Sequence, residues 1–140
     1  MKTIETAYVT GGSGFLGRQI VERCIGLGLR VIAPRSAEVN LETGKGLDVF
    51  FAQANPSIDA IIHSAAYYGG IGINQTDPAG LISRNTRMTS NIFEYAAKYN
   101  VKKIVSVGSA CGYPGHLVDT MEESFFFSGR CHPSVEAYGF

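Results

Sequence analysis

The stretch from Thr6 to Ile25 limits this chain more than any other. A short β-prone run, Thr6 to Thr10, breaks into Gly11-Gly12-Ser13-Gly14, and Phe15, Leu16, Ile20, Val21, Cys24 and Ile25 then recur at helical spacing. A strand that passes through glycines directly into a helix is the opening of a βαβ unit, which calls for a parallel sheet. Gly11 would make the turn, Gly14 would let a ligand approach the backbone, and Gly17 would let the helix pack closely on the sheet. Freed of side chains, the amides at the helix head converge on one point where the helix dipole adds positive potential, an arrangement that suits the paired phosphates of a dinucleotide. The spacing is GxxGxxG rather than GxGxxG, and a chain with 17 glycines in 140 residues can produce it by chance. Its position between a strand and a helix gives it weight.

The remaining pattern continues the alternation. The first helix should stop around Gly26 and Gly28, and Leu29 to Ala33 reads as a second strand blunted by Pro34. A short third strand is expected near Glu38 to Leu41. Leu47, Phe50, Phe51 and Ala54 give one apolar face from Gly44 onward, with Pro56 as the stop. Ile58 to His63 reads as a central strand, because Ile61 and Ile62 sit side by side instead of alternating with polar residues. Asp77-Pro78 forms a cap and first-turn pair ahead of Leu81, Ile82, Asn85, Met88, Ile92, Phe93, Ala96 and Ala97, which make one long helix or two joined near Asn85. Lys102 to Gly108 adds another strand, expected to be buried, and Ser109 to Phe140 reads as loop.

Such alternation predicts a Rossmann-type doubly wound α/β sheet in the order 3-2-1-4-5, one NAD(P)-binding domain over residues 1–140. Ligands bind beyond the carboxyl ends of such strands. Three of those ends carry the residues of interest: Thr10-Gly11, His63-Ser64-Ala65-Ala66 and Gly108-Ser109-Ala110-Cys111.

Composition closes off other classes. Twelve basic residues balance twelve acidic ones, so there is no net pull toward nucleic acid or an anionic membrane, and a phosphate site must be local. Met1 to Tyr8 lacks the apolar core of a signal peptide and no apolar run nears the ~20 residues that span a bilayer, which points to the cytosol. Cys24, Cys111 and Cys131 are odd in number and widely spaced, as suits reduced thiols, with Cys24 and Cys131 read as packing and surface residues. His63, His116 and His132 show no metal-ligand spacing, so no metal is expected. At the end of the second strand a basic side chain would pair with the 2′-phosphate of NADP and an acidic one with the ribose of NAD. Arg35 and Ser36 stand closer to that strand end than Glu38, which favours NADP over NAD.

Taken together, TGGSGFLG at Thr10 to Gly17, HSAA at His63 to Ala66, Asn85 and GSACGYP at Gly108 to Pro114 resemble the extended short-chain dehydrogenase/reductase family of NAD-dependent epimerases and dehydratases. AAYYGGIGIN at Ala65 to Asn74, Asp77-Pro78, and EAYG at Glu136 to Gly139 look most like its branch acting on GDP-linked nucleotide sugars. The resemblance implies catalysis by a Ser–Tyr–Lys set in which Ser109 and Tyr138 are the first two members, Tyr138 giving its proton to a sugar C4 carbonyl and Ser109 bonding that oxygen. Cys111 would be the acid/base of epimerisation steps at C3 and C5. Phe15, Leu16, Arg35, Asn40, Leu41, Ala65, Ala66 and Val107 would join the glycines in lining the cofactor, and Asn85 would support the active-site loop through its backbone. By its own place at a strand end, His63 reads as holding the cofactor loop rather than as an acid or base, and Tyr67 and Tyr68 read either as walls of the nicotinamide or sugar pocket or as packing. The family lysine of YxxxK falls beyond Phe140. The resemblance therefore implies somewhat less than half of a full-length member, truncated before its substrate-binding part, binding cofactor weakly and turning over nothing alone. It also implies a homodimer through the long helix from Pro78 to Tyr99. A 4-epimerase or 4,6-dehydratase shares every feature except the cysteine and the GGI segment, and a dinucleotide-binding module without turnover is the reading from another class.

Overall fold

The computed structural model describes residues 3–53, 58–118 and 120–139. Two compact units divide the chain, the first of Met1–Ala66 and Thr86–Val107, the second of Tyr67–Asn85 and Gly108–Phe140.

In the first unit, β1 (Thr6–Thr10) is buried along its whole length because it has a strand on each side. It pairs in parallel with β2 (Arg30–Ile32) and β3 (Ala60–His63), and β3 pairs in parallel with β4 (Lys103–Ser106), giving the order β2-β1-β3-β4. The register sets Ile32, Tyr8, Ile61 and Ile104 in one row across the sheet. That row meets α2 (Leu47–Gln53) and the later turns of α4 (Pro78–Lys98) in a core of Tyr8, Val39, Leu47, Phe51, Ile58, Ile61, Ile92 and Ala96. Phe51 is its centre, with ring centroids 5.0 Å from Tyr8, 5.3 Å from Tyr99 and 5.8 Å from Tyr95, the tilted geometry that aromatic quadrupoles prefer. Between β1 and β2, α1 (Phe15–Gly26) ends where Gly28 takes a left-handed φ of 79° and donates to the Ile25 carbonyl.

The strand order is the expected one without its third strand. Residues 38–41 form no strand, because their backbone is satisfied locally: the Glu38 amide donates to the Arg35 carbonyl, the Glu38 carboxylate accepts from the Arg35 amide, and Asn40 Oδ1 accepts from the amides of Glu42 and Thr43. Short polar side chains here outcompete a ladder. The expected burial of the last strand is also corrected. Among the described residues β4 pairs on one side only, and it is largely exposed. The expected stop of α2 at Pro56 lies outside the described residues.

The second unit holds α3 (Gly70–Thr76), which the sequence pattern did not suggest, and the opening turns of α4. Asp77 caps α4 as expected, its carboxylate accepting from the Gly80 amide at 3.0 Å, and the helix runs through Asn85 without a break. The segment read as loop carries three single 3-10 turns, Ala110–Gly112, Glu123–Phe125 and Pro133–Val135, and then α5 (Glu136–Gly139). Ser109 and His132, residues that suggest loop, cap two of these turns with their side chains. All three cysteines are free thiols, and Cys131 is buried instead of lying at the surface.

Candidate functional site

The glycine turn after β1 is enforced by contact. Gly11 sits at a φ of 67°, in the left-handed region, and a Cβ there would lie 2.9 Å from the Ala65 amide nitrogen. A Cβ on Gly17 would lie 1.9 Å from the Gly11 carbonyl oxygen, so no other residue fits. Gly14 is the N-cap of α1 and offers no side chain to its first amides; the first turn carries no acidic residue, and Phe15 and Leu16 point outward. Helix amides left to an outside acceptor, in a cradle that Cβ atoms would fill, suit a pyrophosphate.

The loop after β3 is tied to this turn by Thr10. Its Oγ1 lies 3.1 Å from both the Ser64 and the Ala65 amides, each donating to it, and 2.8 Å from His63 Nδ1. The Thr10 carbonyl accepts from Ser64 Oγ at 2.7 Å, and His63 Nε2 lies 3.3 Å from Thr89 Oγ1 on α4. His63 is buried, and burial alone holds its imidazole below the usual histidine pKa. Thr10 stands among the strand-end residues of interest in the sequence but with no role given to its hydroxyl, and Thr89 does not figure there. The available signals were the place of Thr10 as the last residue before the glycines and the spacing of Thr89, one helical turn past Asn85.

The other expected cofactor residues are distributed unevenly. Ala65 is against Gly11, Ala66 is exposed, and the Val107 amide donates to the His63 carbonyl at 2.9 Å. Arg35 and Ser36 are exposed, whereas the Glu38 carboxylate is held by the Arg35 amide. Asn40 is committed to its own turn, and Leu41 packs on the core with its carbonyl accepting from Asn91 Nδ2.

In the second unit, Ser109 and Cys111 share one 3-10 turn, and Ser109 Oγ accepts from the Cys111 amide at 3.1 Å, leaving the hydroxyl proton free to donate elsewhere. α5 packs on that turn and carries Tyr138. The phenol of Tyr138 is pushed above its ordinary pKa, mainly by burial and further by Cys111 and Tyr68, whose ring centroid is 5.1 Å away. Tyr138 is therefore a firmly protonated donor at neutral pH. Asn85 grips the backbone of Tyr67 on both sides, Oδ1 accepting from its amide at 2.7 Å and Nδ2 donating to its carbonyl at 3.0 Å, while Arg84 lies 3.7 Å above the Tyr67 ring. Among the described residues no group of three or more potential ligands could hold a metal ion, and no helix is long and apolar enough to cross a membrane.

A parallel sheet whose first strand runs through a glycine-rich turn into a helix defines the Rossmann-type dinucleotide-binding class. Within that class the chain belongs to the NAD dependent epimerase/dehydratase family, whose pattern matches residues 7–140. It is 31% identical over 135 residues to a GDP-L-fucose synthase of Escherichia coli (strain K12), covering 96% of this chain and 41% of that protein. With a GDP-L-fucose synthase of Azorhizobium caulinodans it shares 26% over 130 residues, covering 93% of this chain and 41% of the other. A GDP-mannoheptose C4 reductase from Campylobacter jejuni, solved with NADP bound, superposes with a TM-score of 0.86 over 99% of this chain and 44% of its own, at 24% identity, a likeness of fold. The chain thus spans about two-fifths of the length of the curated relatives it matches.

Proposed function

We propose that this chain is the cofactor-binding part of a nucleotide-sugar epimerase/reductase that takes NADP and acts on a GDP-linked 4-keto-6-deoxy sugar, as its relatives named GDP-L-fucose synthase suggest. The observation that carries the reading is the grouping of Ser109, Cys111 and Tyr138 on one 3-10 turn and the short helix packed against it. In this reading the pyrophosphate rests on the amides at the head of α1, beside Gly11 and Gly14. Phe15, Leu16, Gly17, Ala65, Ala66 and Val107 belong to the same pocket by family likeness, as do Asn40 and Leu41. The 2′-phosphate falls to Arg35, supported by the exposure of that side chain and the engagement of Glu38 in its own turn. The dinucleotide supplies a hydride. While C4 is still a ketone, Cys111 would move the protons at C3 and C5 that this carbonyl acidifies; Ser109 would donate a hydrogen bond to the C4 oxygen, and Tyr138 would protonate that oxygen as the hydride reaches C4.

NADPH titration followed by nicotinamide fluorescence is expected to saturate, and at lower concentration than NADH; a flat response to both sinks the cofactor reading. For the chemistry, the chain extended past Phe140 is incubated with substrate and NADPH in deuterated water and the product read by NMR. Deuterium at C3 and C5 with a reduced C4 supports the epimerase/reductase, and reduction without deuterium supports a C4 reductase. A second reading, a dinucleotide-binding module without turnover, is favoured by the surroundings of Tyr138, where among the described residues every neighbour that acts on the phenol raises its pKa. NADPH binding with no product of either kind supports that one. A homodimer through α4, whose Phe93 is half exposed, completes the proposal; light scattering should show a dimer that Phe93→Glu disperses.

A further inference from the structure

The Thr10 hydroxyl is saturated in a way that decides the state of His63. A threonine Oγ has one proton to give and two lone pairs to receive with. Both lone pairs are occupied, by the amides of Ser64 and Ala65. The one remaining contact, 2.8 Å to His63 Nδ1, must therefore be Thr10 donating, so Nδ1 is bare and the ring proton sits on Nε2, directed at Thr89 Oγ1. A protonated ring would carry N–H on both sides. Its Nδ1–H would face a hydroxyl that could accept it only by turning its own proton away and surrendering one of the two amides. Those amides hold the loop at Ser64 and Ala65 against Gly11, where there is no slack: even a methyl on Gly11 would meet Ala65 at 2.9 Å.

We propose that His63 is the positioning residue of the dinucleotide site: neutral and protonated at Nε2, it fixes the Thr10 hydroxyl so that both loop amides stay bound beside Gly11, and acidification undoes this latch and weakens dinucleotide binding. The proposal rests on the reading that the glycine loop takes NADP and adds its regulation by pH. The groups facing the ring are the hydroxyls of Thr10 from β1 and Thr89 from α4, and among the described residues no charged side chain acts on it. Burial keeps the ring neutral through physiological pH, which places the release on the acid side.

The test uses 15N-labelled protein and NADPH. At pH 8 the long-range nitrogen shifts of His63 are expected to show the Nε2–H form. On acidification the amide signals of Ser64 and Ala65 should move with the midpoint of the imidazole, and NADPH should bind about five- to tenfold more weakly below it, the worth of one lost hydrogen bond. Thr10→Ser, which keeps the hydroxyl, should preserve the coupling; Thr10→Val should leave the two amides indifferent to the titration of His63. An Nδ1–H form at pH 8, loop amides that ignore His63, NADPH affinity equal on both sides of the midpoint, or a His63 that stays neutral until the chain unfolds would each overturn the proposal. If the histidine and amide signals behave as described but NADPH gives no saturable signal at pH 8, it is the cofactor reading that falls, and the pH control of binding falls with it.

Discussion

Gly17 and Gly26 lie in one helix and differ completely in what they tolerate. At Gly17 an added methyl would overlap the Gly11 carbonyl, so the turn itself must move; at Gly26 nothing stands within 4 Å. Gly17→Ala is expected to weaken NADPH binding more than tenfold and to lower the melting temperature, whereas Gly26→Ala should leave binding alone and stabilise by up to about 1 kcal/mol through helix propensity. Equal binding by the two variants in a fluorescence titration would refute the steric account. His63 adds a pH dependence whose sign follows from its depressed pKa. The folded state binds its proton less readily than the unfolded chain does, near pH 6.5 in model peptides, so this stabilisation is complete above about pH 6.5 and is lost as pH falls toward the folded-state value. Urea unfolding across pH 5 to 8 should show the loss, and His63→Asn should flatten it; an unchanged slope would remove His63 as the cause. The glycines were legible in the sequence because steric exclusion is written into residue type. The tautomer was not, since it depends on Thr10 and Thr89, 53 and 26 positions away.

At the scale of elements, what could be read was whatever carries a period. The four strands and the helices α1, α2 and α4 announce themselves by apolar spacing and by punctuation such as Gly28 and Asp77. Glu38 to Leu41 failed as a strand because Glu38 and Asn40 serve their own backbone, a preference that a β-prone Val39 and Leu41 conceal. Gly70–Thr76 offers only two isoleucines, beside two glycines, in seven residues, so its helix is set by its packing and not by propensity. Burial of β4 is not legible in the sequence, since Ile104-Val105 looks the same in a central strand and an edge strand; sheet order separates them. The candidate site was legible in part: Ser109 and Tyr138 could be named, but not the clamp that Asn85 closes on Tyr67. Asn85→Ala should raise the intrinsic propensity of α4 and yet cost the protein about 1–3 kcal/mol, because both polar groups of the Tyr67 backbone lose their partner. Chemical denaturation measures the difference, and a stabilised variant would show that the clamp contributes nothing.

At the scale of the whole chain, the edge of the sheet sets how copies meet. β4 has no strand on its outer side among the described residues, and Val105 and Val107 remain about half exposed there. An unpaired strand edge with apolar side chains is a template for further pairing. The 140-residue chain is therefore expected to form species larger than the proposed dimer as its concentration rises, with light scattering as the measure. Val105→Lys places a charge on an already exposed position, so it should leave the core intact while suppressing the larger species, as lysine does on natural sheet edges. The two modes of association separate cleanly: a lysine on β4 should leave a dimer made through α4, while Phe93→Glu should remove the dimer and leave the larger species. Should Val105→Lys instead dissolve the dimer, β4 would be the dimer contact and α4 would lose that role. A wild-type chain that stays monodisperse at millimolar concentration would mean that the edge of β4 is protected by its own twist and by Lys103, and that exposure alone does not drive pairing here.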